Sequence, residues 1–209
     1  MNQDKPSKSP YHHGDLRTTL IASASELLQE MGVAGLSLRK LAEKTGVSRT
    51  APYHHFKDKN QLLCAIAEQG FIQWQQDAER IFNQKDVSLK EQYRQFFHGY
   101  IHYAATHPEL YDLMFGRTIW KQSSATEDLK NVAYPSFNYQ VKMTQAWQQQ
   151  GLLPAGEKTL RLAQVNWATM HGIARLLIDG IYADQSHIEE MCDCAVNLFT
   201  QNSIFDTYN

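Results

Sequence analysis

An all-α fold of about nine helices, a small three-helix N-terminal unit ahead of a larger helical body, is predicted by two observations. Apolar residues recur at three- and four-residue spacing along almost the whole 209-residue chain. Alternating Val, Ile and Thr runs bounded by turn residues, the mark of a strand, do not occur. With 43% hydrophobic residues there is enough apolar material for a proper core. The organisation predicted is an N-terminal arm and small domain over 1–60 and a larger domain over 61–209.

The first helix follows Gly14-Asp15, with Asp15 at the positive end of the helix dipole. Leu16, Leu20, Ala24, Leu27, Leu28 and Met31 form its apolar stripe, and Gly32 and Gly35 stop it. Ser37 caps a short helix to about Thr45 that turns Leu38, Leu41 and Ala42 inward, and Gly46-Val47 then turns the chain sharply. Ser48 caps a third helix, Arg49 to about Phe56, and Lys57-Asp58-Lys59 leads into a long fourth helix carrying Leu62, Leu63, Ile66, Phe71 and Trp74.

In the body, Ser88 and Glu91 form a capping box for a helix to about His107, and Pro108 opens a short one through Phe115. The polar break KQSSATED follows Trp120. A helical stretch from about Glu127 to Gln150 contains Pro135, expected to kink or divide it. Two further helices span about Glu157 to Tyr182 and, capped by Ser186 with Glu189, about His187 to Gln201.

Charge separates the two parts. Residues 1–60 hold nine Lys/Arg against six Asp/Glu, whereas residues 61–209 hold eleven against sixteen. A basic head on an acidic body suits a chain that meets phosphates at one end. The polar start MNQDKPSKSP and the lack of a long apolar run point to a cytoplasmic protein without a membrane span. Cys64, Cys192 and Cys194 make an odd count that favours free thiols over disulfides.

Two short helices joined by a glycine turn, with Ala42 four residues before Gly46, have the form of a helix-turn-helix. The alanine is small where a second helix crosses, and the glycine accepts the left-handed backbone of the corner. The following segment, Ser48 to Lys59, crowds hydroxyls, aromatics and cations onto barely two turns. Arg and Thr near a helix start reach base edges, Tyr and His bond phosphates, and Lys57 and Lys59 add cations. Pro52 is read as a rigid packing piece.

Residues 32–63, GVAGLSLRKLAEKTGVSRTAPYHHFKDKNQLL, resemble the TetR family of bacterial repressors, through the Gly-Val-Ser turn, Tyr53 with Phe56, and Lys57 and Lys59 before Leu62-Leu63. Asn166 to Gly172, with YHHGDLR at 11–17, is similar to a subgroup named for a Trp-His-Gly element, although Met170 stands where its tryptophan would. The resemblance implies base contacts from Arg39, Arg49, Thr50 and Tyr53, and phosphate contacts from Ser37, Tyr53, His54 and Lys59; Ser48 and Lys57 complete the expected DNA-binding set. It also implies repression as the default and an effector cavity in the body, whose candidate lining is Tyr103, Phe115, Trp120, Phe137, Trp147, Trp167, Met170 and His171.

His98 and His102 have the four-residue spacing of a shared metal, but no third ligand falls into place and neither HExxH nor paired ExxH occurs. No metal, cofactor or catalytic residue is expected. Apolar residues on more than one face of the last two helices predict a homodimer through a four-helix bundle, with Ile173, Leu177, Ile181, Met191, Ala195 and Phe199 as interface candidates. The expected partners are operator DNA, a small-molecule effector and a second copy. The rival reading is a helical small-molecule binder or enzyme in which the N-terminal helices merely pack.

Overall fold

The computed structural model describes residues 13–121, 124–182 and 187–200. All its regular elements are helical: α1 (His13–Gly35), α2 (Leu38–Thr45), a 3-10 turn (Ala51–His54), α3 (Lys59–Phe82), α4 (Leu89–Thr106), α5 (Pro108–Phe115), α6 (Arg117–Trp120), α7 (Glu127–Gln149), α8 (Thr159–Ile178) and α9 (Ile188–Thr200). The described residues up to Ile66 form one compact unit and those from Ala67 onward a second. The boundary therefore falls after Ile66, deeper inside α3 than the expected 60. The first turns of that helix bury Leu62, Leu63 and Ile66, which is why they belong with the smaller unit. Among the described residues no helix is long and apolar enough to cross a membrane.

In the N-terminal unit α1 packs on α2, and α2 on the 3-10 turn. Leu20, Ala24, Leu28, Leu41, Ala42 and Phe56 are buried, and the Arg17 guanidinium lies 5.7 Å from the Phe56 ring centroid. α1 is already helical at His13, the first described residue and ahead of Gly14-Asp15, and Gly32 breaks its helical path with φ 65° while helical turns resume to Gly35. Ser37 caps α2, its hydroxyl accepting the Lys40 N–H at 3.2 Å. Gly46, at φ 68°, closes α2 with its own N–H on Glu43 O and that of Val47 on Ala42 O, a Schellman motif.

The predicted third α-helix from Arg49 is instead a 3-10 turn that Ser48 does not cap. Its N-cap is Thr50, and the Ser48 hydroxyl bonds the Thr50 hydroxyl at 3.2 Å. Pro52 has no N–H to give Ser48 O and disfavours the α conformation at Ala51, so the chain closes with three-residue bonds, Ala51 to Ser48 and Tyr53 to Thr50. Pro52 itself is buried. Asp58 then starts α3: its carboxylate accepts the Gln61 N–H, and the Gln61 side chain accepts the Lys57 N–H, both at 2.8 Å.

In the second unit α4 is central, packing against α5, α8 and α9, while α7 packs on α8. Ser88 caps α4 through Glu91 N–H, and the Glu91 carboxylate accepts from Gln95. Trp147, 1% exposed, sits edge-on to Tyr93 with centroids 5.1 Å apart, beside Phe96 and Phe82. α7 is not divided at Pro135. That residue is exposed, so the carbonyl it leaves without a donor faces solvent and the helix continues. α8 ends at Ile178 rather than near Tyr182, because Gly180 at φ 71° makes a second Schellman closure, Gly180 N–H to Leu177 O and Ile181 N–H to Leu176 O. The short α6 was not foreseen, and the Ser186 cap lies outside the described residues.

At Gly46 an added Cβ would meet nothing within 4 Å, so Gly46→Ala isolates the backbone cost of the left-handed corner. We expect it to lower the unfolding free energy by about 1–2 kcal/mol in urea titration, with helical content unchanged.

Candidate functional site

On the N-terminal unit, Arg39, Arg49, Thr50, Tyr53, His54 and Lys57 are exposed around the α2 corner and the 3-10 turn. Tyr53 is 56% exposed and so is no core residue. Because Pro52 and Phe56 are buried, the short turn is anchored by these two and presents the residues between them outward. Arg39 donates to Glu43 at 3.2 Å, an exposed pair of little energetic weight that leaves the guanidinium available to another anion. Lys44 bridges Glu26 at 3.0 Å and Glu30 at 2.8 Å, and hydrogen bonding to Glu30 and then Glu26 raises its pKa.

Two expected contacts have structural duties. Ser37 accepts a backbone bond as the α2 cap, and the Lys59 ammonium donates to Val33 O near the end of α1. Lys57, by contrast, is exposed, as is Arg49.

The second unit contains a cavity of about 350 Å³. Its walls are Phe71 and Trp74 from α3, Tyr100 from α4, Met114 and Phe115 from α5, Trp120 from α6, Ala133, Tyr134, Ser136, Phe137 and Gln140 from α7, and Trp167 from α8. The rings meet at angles: Phe71 and Phe115 are edge-on at 5.2 Å, Trp74 and Tyr100 at 5.1 Å, and Phe137 lies 5.6 Å from Trp167. Gln140 is 7% exposed, and its Nε2 has no hydrogen-bond partner among the described residues.

Of the eight lining residues expected, Phe115, Trp120, Phe137 and Trp167 are in the wall; Tyr103, Trp147, Met170 and His171 are not. Trp147 and Met170 are core, at 1% and 0% exposed. Tyr103 stands behind Trp74 at 5.9 Å and donates to Gly70 O. His171 sits behind Phe115, stacked on Tyr111. Phe71 and Trp74 are in the wall without being among the expected lining; their spacing of three, which places both on one face of the long helix, is the signal that points to them. Ala133, Phe137 and Gln140 carry the same periodic signal on α7, which Pro135 obscured.

His171 closes a buried chain of hydrogen bonds. Trp167 Nε1–H donates to Tyr100 Oη at 2.9 Å, Tyr100 and Tyr111 hydroxyls lie 2.8 Å apart, and Tyr111 Oη lies 2.6 Å from His171 Nδ1. Indole only donates, so one direction serves every member: Trp167 to Tyr100, Tyr100 to Tyr111, Tyr111 to a neutral His171. Burial raises the pKa of both phenols far above the ordinary value, keeping them neutral. Tyr93 adds a parallel tie, its hydroxyl donating to Asn166 Oδ1 at 2.9 Å.

His98 pairs with Asp193 at 2.8 Å, and Arg94 binds the same carboxylate at 2.6 Å, joining α4 to α9. His102 lies 3.5 Å from the Thr106 hydroxyl. Among the described residues no three His, Cys, Asp or Glu side chains form a group that could hold a metal. The interface candidates divide: Leu177 and Ala195 are each 7% exposed and spent within the protomer core, Ile173, Met191 and Phe199 are half-buried, and Ile181 is exposed. The exposed apolar residues of α8 are instead Leu160, Val165, Ala168 and Leu176, and α9 exposes Leu198.

A capped helix, a left-handed glycine corner and a short outward-facing turn, followed by a helical body around a cavity, define a helix-turn-helix regulator fold. The family described as "Bacterial regulatory proteins, tetR family" matches residues 20–66, and "Tetracyclin repressor-like, C-terminal domain" matches residues 93–199. The chain belongs to the TetR family of bacterial transcriptional regulators.

It is 54% identical over 50 residues to the tetracycline repressor protein class A from transposon 1721 of Escherichia coli, covering 24% of this chain and 23% of that one. It is 38% identical over 66 residues to the HTH-type transcriptional repressor AcnR of Corynebacterium glutamicum, covering 32% and 31%. These matches thus span only a quarter to a third of the curated relatives' length. A protein of unknown function from Rhodococcus sp. RHA1 superposes with TM-score 0.77 at 34% identity, covering 93% of this chain and 100% of that one. The fatty acid degradation regulator FadR of Bacillus halodurans shares the fold, with TM-score 0.69 at 13% identity over 95% and 99%.

Burial, reinforced by the Arg175 cation, holds the His171 imidazole below its ordinary pKa of 6.5. As pH falls below that value the unfolded chain takes up a proton that the folded chain refuses, so acid destabilises this unit. Above it both forms are neutral and the effect vanishes. His171→Gln, which still accepts from Tyr111, should therefore flatten the fall of Tm between about pH 7 and 5, measured by thermal melts against the parent chain.

Proposed function

We propose that this chain is a homodimeric transcriptional repressor that grips a near-palindromic operator through its two N-terminal units and releases it when a small molecule occupies the aromatic cavity. The observation that carries the DNA reading is the exposed set Arg39, Arg49, Thr50, Tyr53, His54 and Lys57, carried by α2, the 3-10 turn and the residues flanking that turn. Arginine and threonine at a helix start suit base edges in the major groove, while tyrosine, histidine and lysine suit phosphates. Ser48, also exposed and paired with Thr50, lies within reach of the same groove.

The dimer reading is supported by the unpartnered apolar faces of α8 and α9. Val165 and Leu198 are 55% and 67% exposed, and a Cβ at Gly172 would meet nothing within 4 Å. Exposed apolar residues on two helices that both pack on α4 suit twofold pairing into a four-helix bundle. A dimer supplies two recognition turns for two half-sites about one turn of DNA apart. An effector acts only through its difference in affinity for the DNA-bound and released conformations. The names of the curated relatives support repression over activation.

Selection of genomic fragments by the purified protein, followed by sequencing, should recover a common near-palindromic site. Arg39→Ala should weaken binding to that site by about 1–3 kcal/mol and relax selectivity at one base pair; an unchanged site preference removes Arg39 from the readout. Lys57→Ala should lower the salt slope of binding by about one. Recovery of no enriched fragment at moderate salt refutes the operator reading.

Val165→Glu together with Leu198→Glu should yield monomers by sedimentation at micromolar concentration, with parental helical content and operator affinity reduced at least about a hundredfold. A dimer of undiminished affinity would place the interface elsewhere.

A further inference from the structure

We propose that the cavity of the second unit takes a neutral, flat aromatic ligand bearing one hydrogen-bond acceptor, such as a ring carbonyl, that receives the Gln140 amide N–H; this deepens the effector reading above and rests on it. The walls carry the first half of the inference. Eight of the twelve lining residues are aromatic, and none is Lys, Arg, His, Asp or Glu. A carboxylate or phosphate would lose its hydration there with no cation to meet it, a cost that ordinarily excludes an unpaired charge from such a site.

Aromatic faces attract cations as well as flat rings, and Gln140 separates the two. Its amide is nine-tenths buried in the wall, and its Nε2 has no partner among the described residues. A buried donor left unmade is costly. It asks for an acceptor atom, which an ammonium or guanidinium group does not have. Ser136, one helical turn before it, lines the same wall, so the polar part of the ligand is drawn to α7 and its rings lie toward Trp74, Phe115 and Trp167.

Size and access agree. About 350 Å³ suits a ligand of about two or three rings. Tyr134 lines the cavity yet is 59% exposed, with its ring 6.4 Å from Trp120, which puts these two at the mouth.

Three of the four tryptophans, Trp74, Trp120 and Trp167, line the cavity, so quenching of intrinsic fluorescence reads occupancy in the full chain without DNA. The probes are xanthone and flavone, neutral with a ring carbonyl; xanthene, which keeps the outline of xanthone without the carbonyl; and xanthone-2-carboxylate and decanoate as anions. Xanthone or flavone should saturate the quench, xanthene should bind roughly tenfold more weakly than xanthone, and the anions should not compete. Gln140→Leu should remove the difference between xanthone and xanthene with parental circular dichroism, and Ala133→Trp, which fills the cavity, should abolish both.

Equal binding of xanthene and xanthone by the parent chain overturns the proposal. So does preference for either anion, or failure of both neutral carbonyl probes to bind. With a selected operator fragment present, xanthone that binds without loosening DNA refutes the effector reading alone. Release of DNA by decanoate without response to xanthone or flavone refutes the ligand class alone.

Discussion

The second unit is organised by hydroxyl groups that must be buried and bonded at once. Tyr100 and Tyr111 are 3% and 0% exposed, and a phenol taken from water without a partner costs several times what an ordinary hydrogen bond contributes. The run from Trp167 through both phenols to His171 resolves this. It also fixes geometry, because its members come from α4, α5 and α8. Three of the helices around the cavity are thereby held in register by polar groups, while rings fill the space between. Tyr93 on Asn166 repeats the device two turns along α4. Such ties are directional in a way that apolar packing is not, and they leave the rest of the wall free to be greasy.

The N-terminal unit follows the opposite rule. Its polar groups of interest are on the surface, and precision comes from the backbone beneath them. Ser37, Gly46 and the Asp58–Gln61 pair satisfy helix ends. Pro52 and Phe56 pin the short turn from inside. The exposed side chains of the corner are thus carried on a rigid frame, with only weak exposed ties of their own, Arg39 to Glu43 and Ser48 to Thr50.

Much of this was legible in the sequence, for reasons that differ by element. The caps Ser37 and Ser88, the corner at Gly46 and the apolar stripe of α1 are local signals, each written within a few residues. The segment from Ser48 to Phe56 was legible in composition but not in shape, since residues that favour a helix at Arg49 meet Pro52, whose missing N–H forgoes the bond to Ser48 O and favours three-residue closure. The end of α8 was overrun because Gly180 was passed over as a breaker. The cavity was half legible: the family resemblance implied it, yet Trp147 and Met170 are core while Phe71 and Gln140 are wall. Which face of a helix looks into a hollow depends on neighbours distant in sequence. The same limit turned Leu177 and Ala195 inward and left Val165 and Leu198 outside.

Pro135 gives the cavity one compliant wall. It lies within α7 between Tyr134 and Ser136, two residues of the lining, and it removes one rung from the hydrogen-bond ladder there. The walls from α4, α5 and α8 are stiffened by the buried hydroxyl chain. Strain introduced by a ligand slightly too large for the hollow would therefore be relieved by flexing α7 rather than shared evenly around the bundle. Tolerance toward ligand shape and the direction of any resulting displacement would then have a common origin in a single imino acid.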